Sequence, residues 1–162
     1  MPIKVLIADD HPLIRQALTD LFTGTSDIVV VGQCSDGSQV AEAVGRTQPD
    51  VVLMDLQMPV VDGLEATRQV LVEHPEVRIV VLTGALTRAT AFEARALGVA
   101  GYLLKGEDCD ELPEQVRTVA SGGSVWSADV LALVERSWKS LIDSSPTGAA
   151  SPYVEETPHR YR

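Results

Sequence analysis

This chain of 162 residues is poor in cysteine, poor in basic side chains, and has no long apolar run. Its two cysteines, Cys34 and Cys109, have neither metal-ligand nor redox-motif spacing, so both are expected to be reduced and structurally ordinary. Lysine and arginine number 13 against 23 acidic residues, giving a formal charge of −10, and they are scattered singly. Proteins that grip nucleic acid cluster these residues against phosphates, so the chain is not expected to bind nucleic acid by itself. An acidic surface suits protein partners instead. No apolar stretch approaches the roughly 20 residues that a bilayer span needs. MPIKVLIADD meets acids too early, and lacks the small-residue cleavage site, for a secretory leader. A cytoplasmic protein without membrane contact is the expectation.

What is present alternates regularly. Five short, β-branched apolar runs, Ile3–Ala8, Ile28–Cys34, Val51–Met54, Ile79–Thr83 and Ala100–Leu104, read as strands buried on both faces. Between them lie segments of helical period. Leu13, Ile14, Ala17, Leu18, Leu21 and Phe22 form one stripe behind Pro12. Further helices are expected over about Ser38–Arg46, Leu64–His74 and Thr87–Leu97, and one with Leu112, Val116, Val119 and Ala120 on a single face. Pro75 and Gly98 stop the third and fourth. Alternation of this kind implies a parallel sheet with right-handed crossovers. The expectation is a flavodoxin-like, doubly wound (βα)5 α/β fold with a five-stranded parallel sheet in the order 2-1-3-4-5.

In such a sheet, ligands bind outside the carboxyl ends of the strands. The first strand delivers Asp9-Asp10 there, the third Asp55, the fourth Thr83-Gly84 and the fifth Lys105; the second delivers Asp36-Gly37, an ordinary turn. Polar residues commonly follow strands, so each alone is as readily a turn residue as a functional one. Together they are chemically complementary. Two carboxylates 4 Å apart repel by about 4 kcal/mol at an effective dielectric of 20. A hard divalent cation offsets this, and an oxygen-only donor set suits Mg²⁺. His11, placed before Pro12, reads as a helix-start residue rather than a ligand. Such a site fits phosphoryl transfer, which depends mostly on electrostatic placement. Asp55 would be the nucleophile forming an aspartyl phosphate, Lys105 a point charge on the phosphoryl group, and Thr83 a hydroxyl donor. Gly84 would leave the approach open.

The set Asp9-Asp10, Asp55, Thr83 and Lys105 resembles the receiver domain of bacterial two-component response regulators. IADDHPLIRQAL, VVLMDLQMPVVDG, VVLTG and GYLLKG are similar to the NarL/FixJ (LuxR-type) subgroup, and the resemblance covers about residues 2–125. It implies that a sensor histidine kinase phosphorylates Asp55. Asp10 and Asp55 would hold Mg²⁺ directly, with the Gln57 backbone carbonyl as a third ligand and Asp9 acting through water. Thr83 and Tyr102 match the family's switch pair, in which the hydroxyl moves towards the phosphoryl group and the ring turns inward. Gln57 and Ala85 match positions that tune phosphate lifetime. Proline often follows the lysine in this family, whereas Gly106 stands here.

The resemblance implies a signalling phosphoacceptor that catalyses only its own phosphorylation and dephosphorylation, not an enzyme acting on other substrates. A phosphatase using an aspartyl phosphate commonly needs an acid two residues after the nucleophile, and Gln57 occupies that place. A dinucleotide-binding enzyme needs a glycine-rich first turn, and DDHP stands there. Subgroup members usually carry a C-terminal helix-turn-helix that is missing here, though GGSVWSADVLALVE resembles the linker preceding one. Control of transcription in a longer protein is one reading; a stand-alone receiver acting through protein contacts is the alternative. The expected domains are a receiver over 1–123, a linker helix over 124–143 and a disordered tail over 144–162. The linker stripe of Val130, Leu131, Val134, Trp138, Leu141 and Ile142 could form a homodimer or pack back on the receiver.

Overall fold

The computed structural model describes residues 1–144; apart from Ser144, the expected tail lies outside them. Among the described residues there are six strands: β1 Ile3–Ala8, β2 Ile28–Cys34, β3 Val51–Met54, β4 Arg78–Thr83, β5 Gly101–Leu104 and β6 Val125–Trp126. They form one parallel sheet in the order β2-β1-β3-β4-β5-β6. The expected five-stranded order is therefore right as far as it goes, and a sixth strand extends it. β6 has two residues, too few to show any period. Val125 N donates to Ala100 O and Ser127 N to Tyr102 O, both at 3.0 Å. Gly101 admits the new strand: a Cβ there would stand 2.3 Å from the Val125 carbonyl oxygen.

Apolar side chains on both faces explain the near-continuous hydrophobic runs. Along β1 and β3, Val5, Ile7, Val51 and Leu53 face α1 (Pro12–Thr23) and α5 (Leu112–Ala120), with Phe22 and Val119 fully buried between them. Leu6, Ala8, Val52 and Met54 face the opposite layer, built from α2 (Val40–Thr47), α3 (Gly63–Glu73), α4 (Arg88–Leu97) and α6 (Ala128–Asp143). Burying each such side chain contributes roughly 1.5–3 kcal/mol, and truncating one, as in Leu53→Ala, costs about 2–5 kcal/mol. The short α2 starts later than expected because Gly37–Gln39 form a 3₁₀ turn, capped where Ser38 N donates to the Asp36 carboxylate at 2.7 Å.

Local chemistry sets the helix ends. Extended backbone at His11 precedes Pro12 at the start of α1. The Asp62 carboxylate accepts from Glu65 N at 2.9 Å and caps α3. Thr87 and Thr90 form a reciprocal capping box on α4, which Gly98 closes at φ 87°. Residues 124–143, expected to be a linker helix, supply β6 as well as α6. Val130 and Val134 of α6 pack into the cluster holding Ala91 and Ala94 of α4, so the helix is seated on its own receiver. Of the rest of the expected stripe, Leu131 is half-buried and Trp138, Leu141 and Ile142 are 57%, 61% and 50% exposed, while Ser137, outside the stripe, is buried.

Candidate functional site

Four strands bring their following residues to one rim, and main-chain bonds hold those residues in place. Asp9 N donates to Cys34 O at 3.0 Å, Asp55 N to Ala8 O at 2.9 Å and Lys105 N to Thr83 O at 2.9 Å. The ladder thus runs one residue beyond each apolar strand and fixes the backbone beneath each side chain. α1 ties down from above, with Arg15 Nη1 donating to Asp9 O at 2.7 Å. Gly63 lets α3 start against the same rim, since a Cβ there would lie 2.1 Å from the Asp55 carbonyl oxygen. The intervening loop carries an outlier. Val60, exposed and β-branched, sits at φ 69°.

At the rim, the Lys105 ammonium bridges two buried acids. Its Nζ lies 2.6 Å from Asp9 Oδ2 and 3.0 Å from Asp55 Oδ2, with both carboxylates 3% exposed and the lysine side chain 17% exposed. Burial by itself would lower the lysine pKa. Hydrogen bonds and charge attraction from Asp9 and Asp55 outweigh burial and place it above its ordinary value. The third acid is left over. Asp10 Oδ1 is buried and accepts no hydrogen bond. His11 Nδ1 lies 3.0 Å from it, yet bonds to Asp9 Oδ1 at 3.1 Å. Candidate ligand atoms of Asp9, Asp10, His11 and Asp55 all lie within 4.8 Å of one another. Two carboxylates therefore share one ammonium, and a buried oxygen of the third accepts no hydrogen bond.

The remaining expected residues stand around this group. Gln57 N lies 3.4 Å from Asp55 Oδ1 and its side chain is exposed. Thr83 is fully buried; its Oγ1 accepts from Ala85 N at 3.3 Å. Beyond its own chain neighbours, nothing lies within 4 Å of a Cβ built on Gly84, so that approach is open. Tyr102 makes no hydrogen bond to the acids. It is fully buried, and its hydroxyl donates to Ala85 O at 3.1 Å with Thr90 Oγ1 also at 3.1 Å. Burial raises the phenol pKa, and the Thr90 bond partly counters it. Sequence reasoning did not find Thr90 as the tyrosine's partner, since the two lie 12 residues apart in the chain. His11 both starts α1 and joins the acids, two roles that its place beside Asp9-Asp10 allows together.

Comparison with known proteins identifies the family. Residues 5–117 match the family described as response regulator receiver domain. Over 147 residues the chain is 36% identical to the response regulator GacA of Pseudomonas syringae pv. syringae, covering 89% of this chain and 68% of that one. It is 37% identical over 131 residues to the response regulator protein VraR of Staphylococcus saprophyticus, covering 81% and 63%. The chain thus spans about two thirds of the length of these relatives. A LuxR-family two-component response regulator from Aurantimonas sp. SI85-9A1 superposes with a TM-score of 0.79 at 28% identity, over 85% of this chain and 98% of that one. Among the described residues no helix is long and apolar enough to cross a membrane. By motif, sequence and fold, the chain belongs to the response regulator receiver domain family and is related to LuxR-type transcriptional regulators.

Proposed function

We propose that Asp55 is the residue that takes a phosphoryl group from a sensor histidine kinase, with Lys105 and Thr83 as its catalytic partners. One observation carries this reading above the others: a single ammonium bridges Asp55 to Asp9 while a buried Asp10 oxygen accepts no hydrogen bond. A carboxylate oxygen of Asp55 attacks phosphorus, forming a P–O bond as the P–N bond to the kinase histidine breaks. The bond electrons leave with the imidazole nitrogen, which then takes a proton. Lys105 Nζ, already beside Asp55 Oδ2, pairs with the incoming phosphoryl oxygens. Thr83 has its oxygen held by Ala85 N, which leaves its own hydrogen to donate to the phosphoryl group. Hydrolysis of the acyl phosphate restores the carboxylate and releases inorganic phosphate. These two steps are the chain's only chemistry in this reading.

The donor set fits Mg²⁺, being rich in carboxylate oxygen and containing one buried oxygen in need of a partner. Asp10 and Asp55 would hold the ion directly, with the Gln57 backbone carbonyl and, through water, Asp9. When bound, it neutralises charge on the phosphoryl oxygens. His11, bonded to Asp9, orients an acid rather than completing the set. Thr83 and Tyr102 act as the switch pair, and the output is transcriptional control in a longer cytoplasmic protein. The test is incubation with a small acyl-phosphate donor and Mg²⁺, read by intact mass. One phosphoryl group should be gained, and none by Asp55→Asn or in the presence of a chelator. Equal labelling of Asp55→Asn overturns the assignment.

A further inference from the structure

The segment beyond the fifth helix is joined to the receiver through the same residues that carry the switch. Ala85 is bonded on both sides: its N–H donates to Thr83 Oγ1, and its carbonyl accepts from the Tyr102 hydroxyl. That hydroxyl also meets Thr90 in the first turn of α4. The next residue, Ala91, and then Ala94, are fully buried in the cluster that holds Val130 and Val134 of α6. Two alanines on one face let the helices approach closely. Tyr102 also reaches α6 by a second route. Its main-chain oxygen accepts from Ser127 N at 3.0 Å, and Ser127 Oγ accepts from Leu104 N at 3.3 Å, at the start of α6. The Arg95 guanidinium of α4 lies 5.7 Å from the centre of the Trp126 ring in β6. The tyrosine therefore holds α4 by its hydroxyl and α6 by its backbone.

We propose that α6 is the receiver's own output element: it occupies the α4 face, and its docking is coupled to phosphorylation through Ala85, Tyr102 and Thr90. The inward tyrosine and the docked helix occur together in this structure, so they belong to one conformation. A phosphoryl group that draws in the Thr83 hydroxyl favours that conformation. Ligands shift such equilibria only by differential affinity, and the coupling is reciprocal. Phosphorylation tightens α6 on α4, and a docked α6 supports the phosphorylated site. A partner that needs the α4 face must displace α6, and does so more easily before phosphorylation. This inference rests on the Asp55 reading.

Hydrogen exchange followed by mass spectrometry on the full chain tests it, because intact mass in the same sample reports phosphorylation independently. With acyl phosphate and Mg²⁺, amides of residues 128–143 should exchange roughly threefold to tenfold more slowly in phosphorylated than in unmodified molecules, the range of a modest coupling. In Tyr102→Phe, which keeps the ring and loses the hydroxyl bonds, the slowing among phosphorylated molecules should shrink towards none. Phosphorylation with unchanged or faster exchange in 128–143 overturns the coupling and leaves Asp55 in place. Undiminished slowing in Tyr102→Phe overturns the route through the hydroxyl. Failure to gain a phosphoryl group overturns the Asp55 reading, and this inference falls with it.

Discussion

Replacing Lys105 with methionine removes the charge between Asp9 and Asp55 while keeping most of the side-chain volume. At the 2.6 and 3.0 Å separations found, attraction at an effective dielectric of 20 is about 6 kcal/mol for each contact. Desolvation of the ammonium and the lost freedom of a long side chain offset much of this. Removing one partner of a buried pair typically costs roughly 3–5 kcal/mol. Because the lysine keeps 17% exposure, the lower end applies, and a loss of about 3 kcal/mol is expected. Urea unfolding followed by far-UV circular dichroism, near neutral pH with a chelator present, measures it. Several millimolar Mg²⁺ should then narrow the gap between variant and parent by about half or more, because a cation bound only to the folded state stabilises it by mass action. An unchanged stability in chelator would refute the claim that the acids depend on this ammonium. An equal gap with and without Mg²⁺ would refute the claim that a cation can take over its role.

Three further outcomes are expected. The Lys105 pKa is raised above 10.5 in the fold, so its stabilisation is complete below that value and fades as pH rises through the folded pKa; stability differences between parent and Lys105→Met should close in alkaline urea titrations. Val60→Gly should stabilise the protein by about 1 kcal/mol, since a left-handed non-glycine residue costs roughly 1–2 kcal/mol and glycine returns part of that as unfolded-state entropy; a fall in melting temperature would contradict it. Gly101→Val should lower stability by about 2–3 kcal/mol and raise exchange at Val125 and Ser127, because the new Cβ meets the Val125 carbonyl. Unchanged protection there would show that β6 tolerates displacement.

The doubly buried strands were legible because Val51–Met54 and its neighbours are continuous apolar runs with a polar residue just past each end. The same simplicity located Asp9, Asp10, Asp55, Thr83 and Lys105, since topology brings parallel strand ends together without further information. Helix stops at Pro75 and Gly98 were equally local. Features that depend on what a segment meets were not legible. Two residues of β6 show no period, and only the clash at Gly101 betrays their neighbour. For α6, periodicity identified an amphipathic helix but not which part of its stripe finds a partner. Facing Ala91 and Ala94, the helix buries Val130, Val134 and Ser137 and leaves Trp138, Leu141 and Ile142 outside. Thr90 shares the capping box of α4 with Thr87, but its bond to Tyr102 spans 12 residues and leaves no local pattern.

The way β6 and α6 close the sheet bears on how this unit can be cut and joined to others. Ending the chain at Gly123 would strip the outer side of Gly101–Leu104 of its hydrogen-bonding neighbour and uncover Ala91 and Ala94. A bare strand margin beside a fresh apolar strip is a template for association between molecules. A graft that ends after Asp143 carries its own closure with it. A fusion made at Gly123 should need a foreign segment to do the same work, or lose solubility.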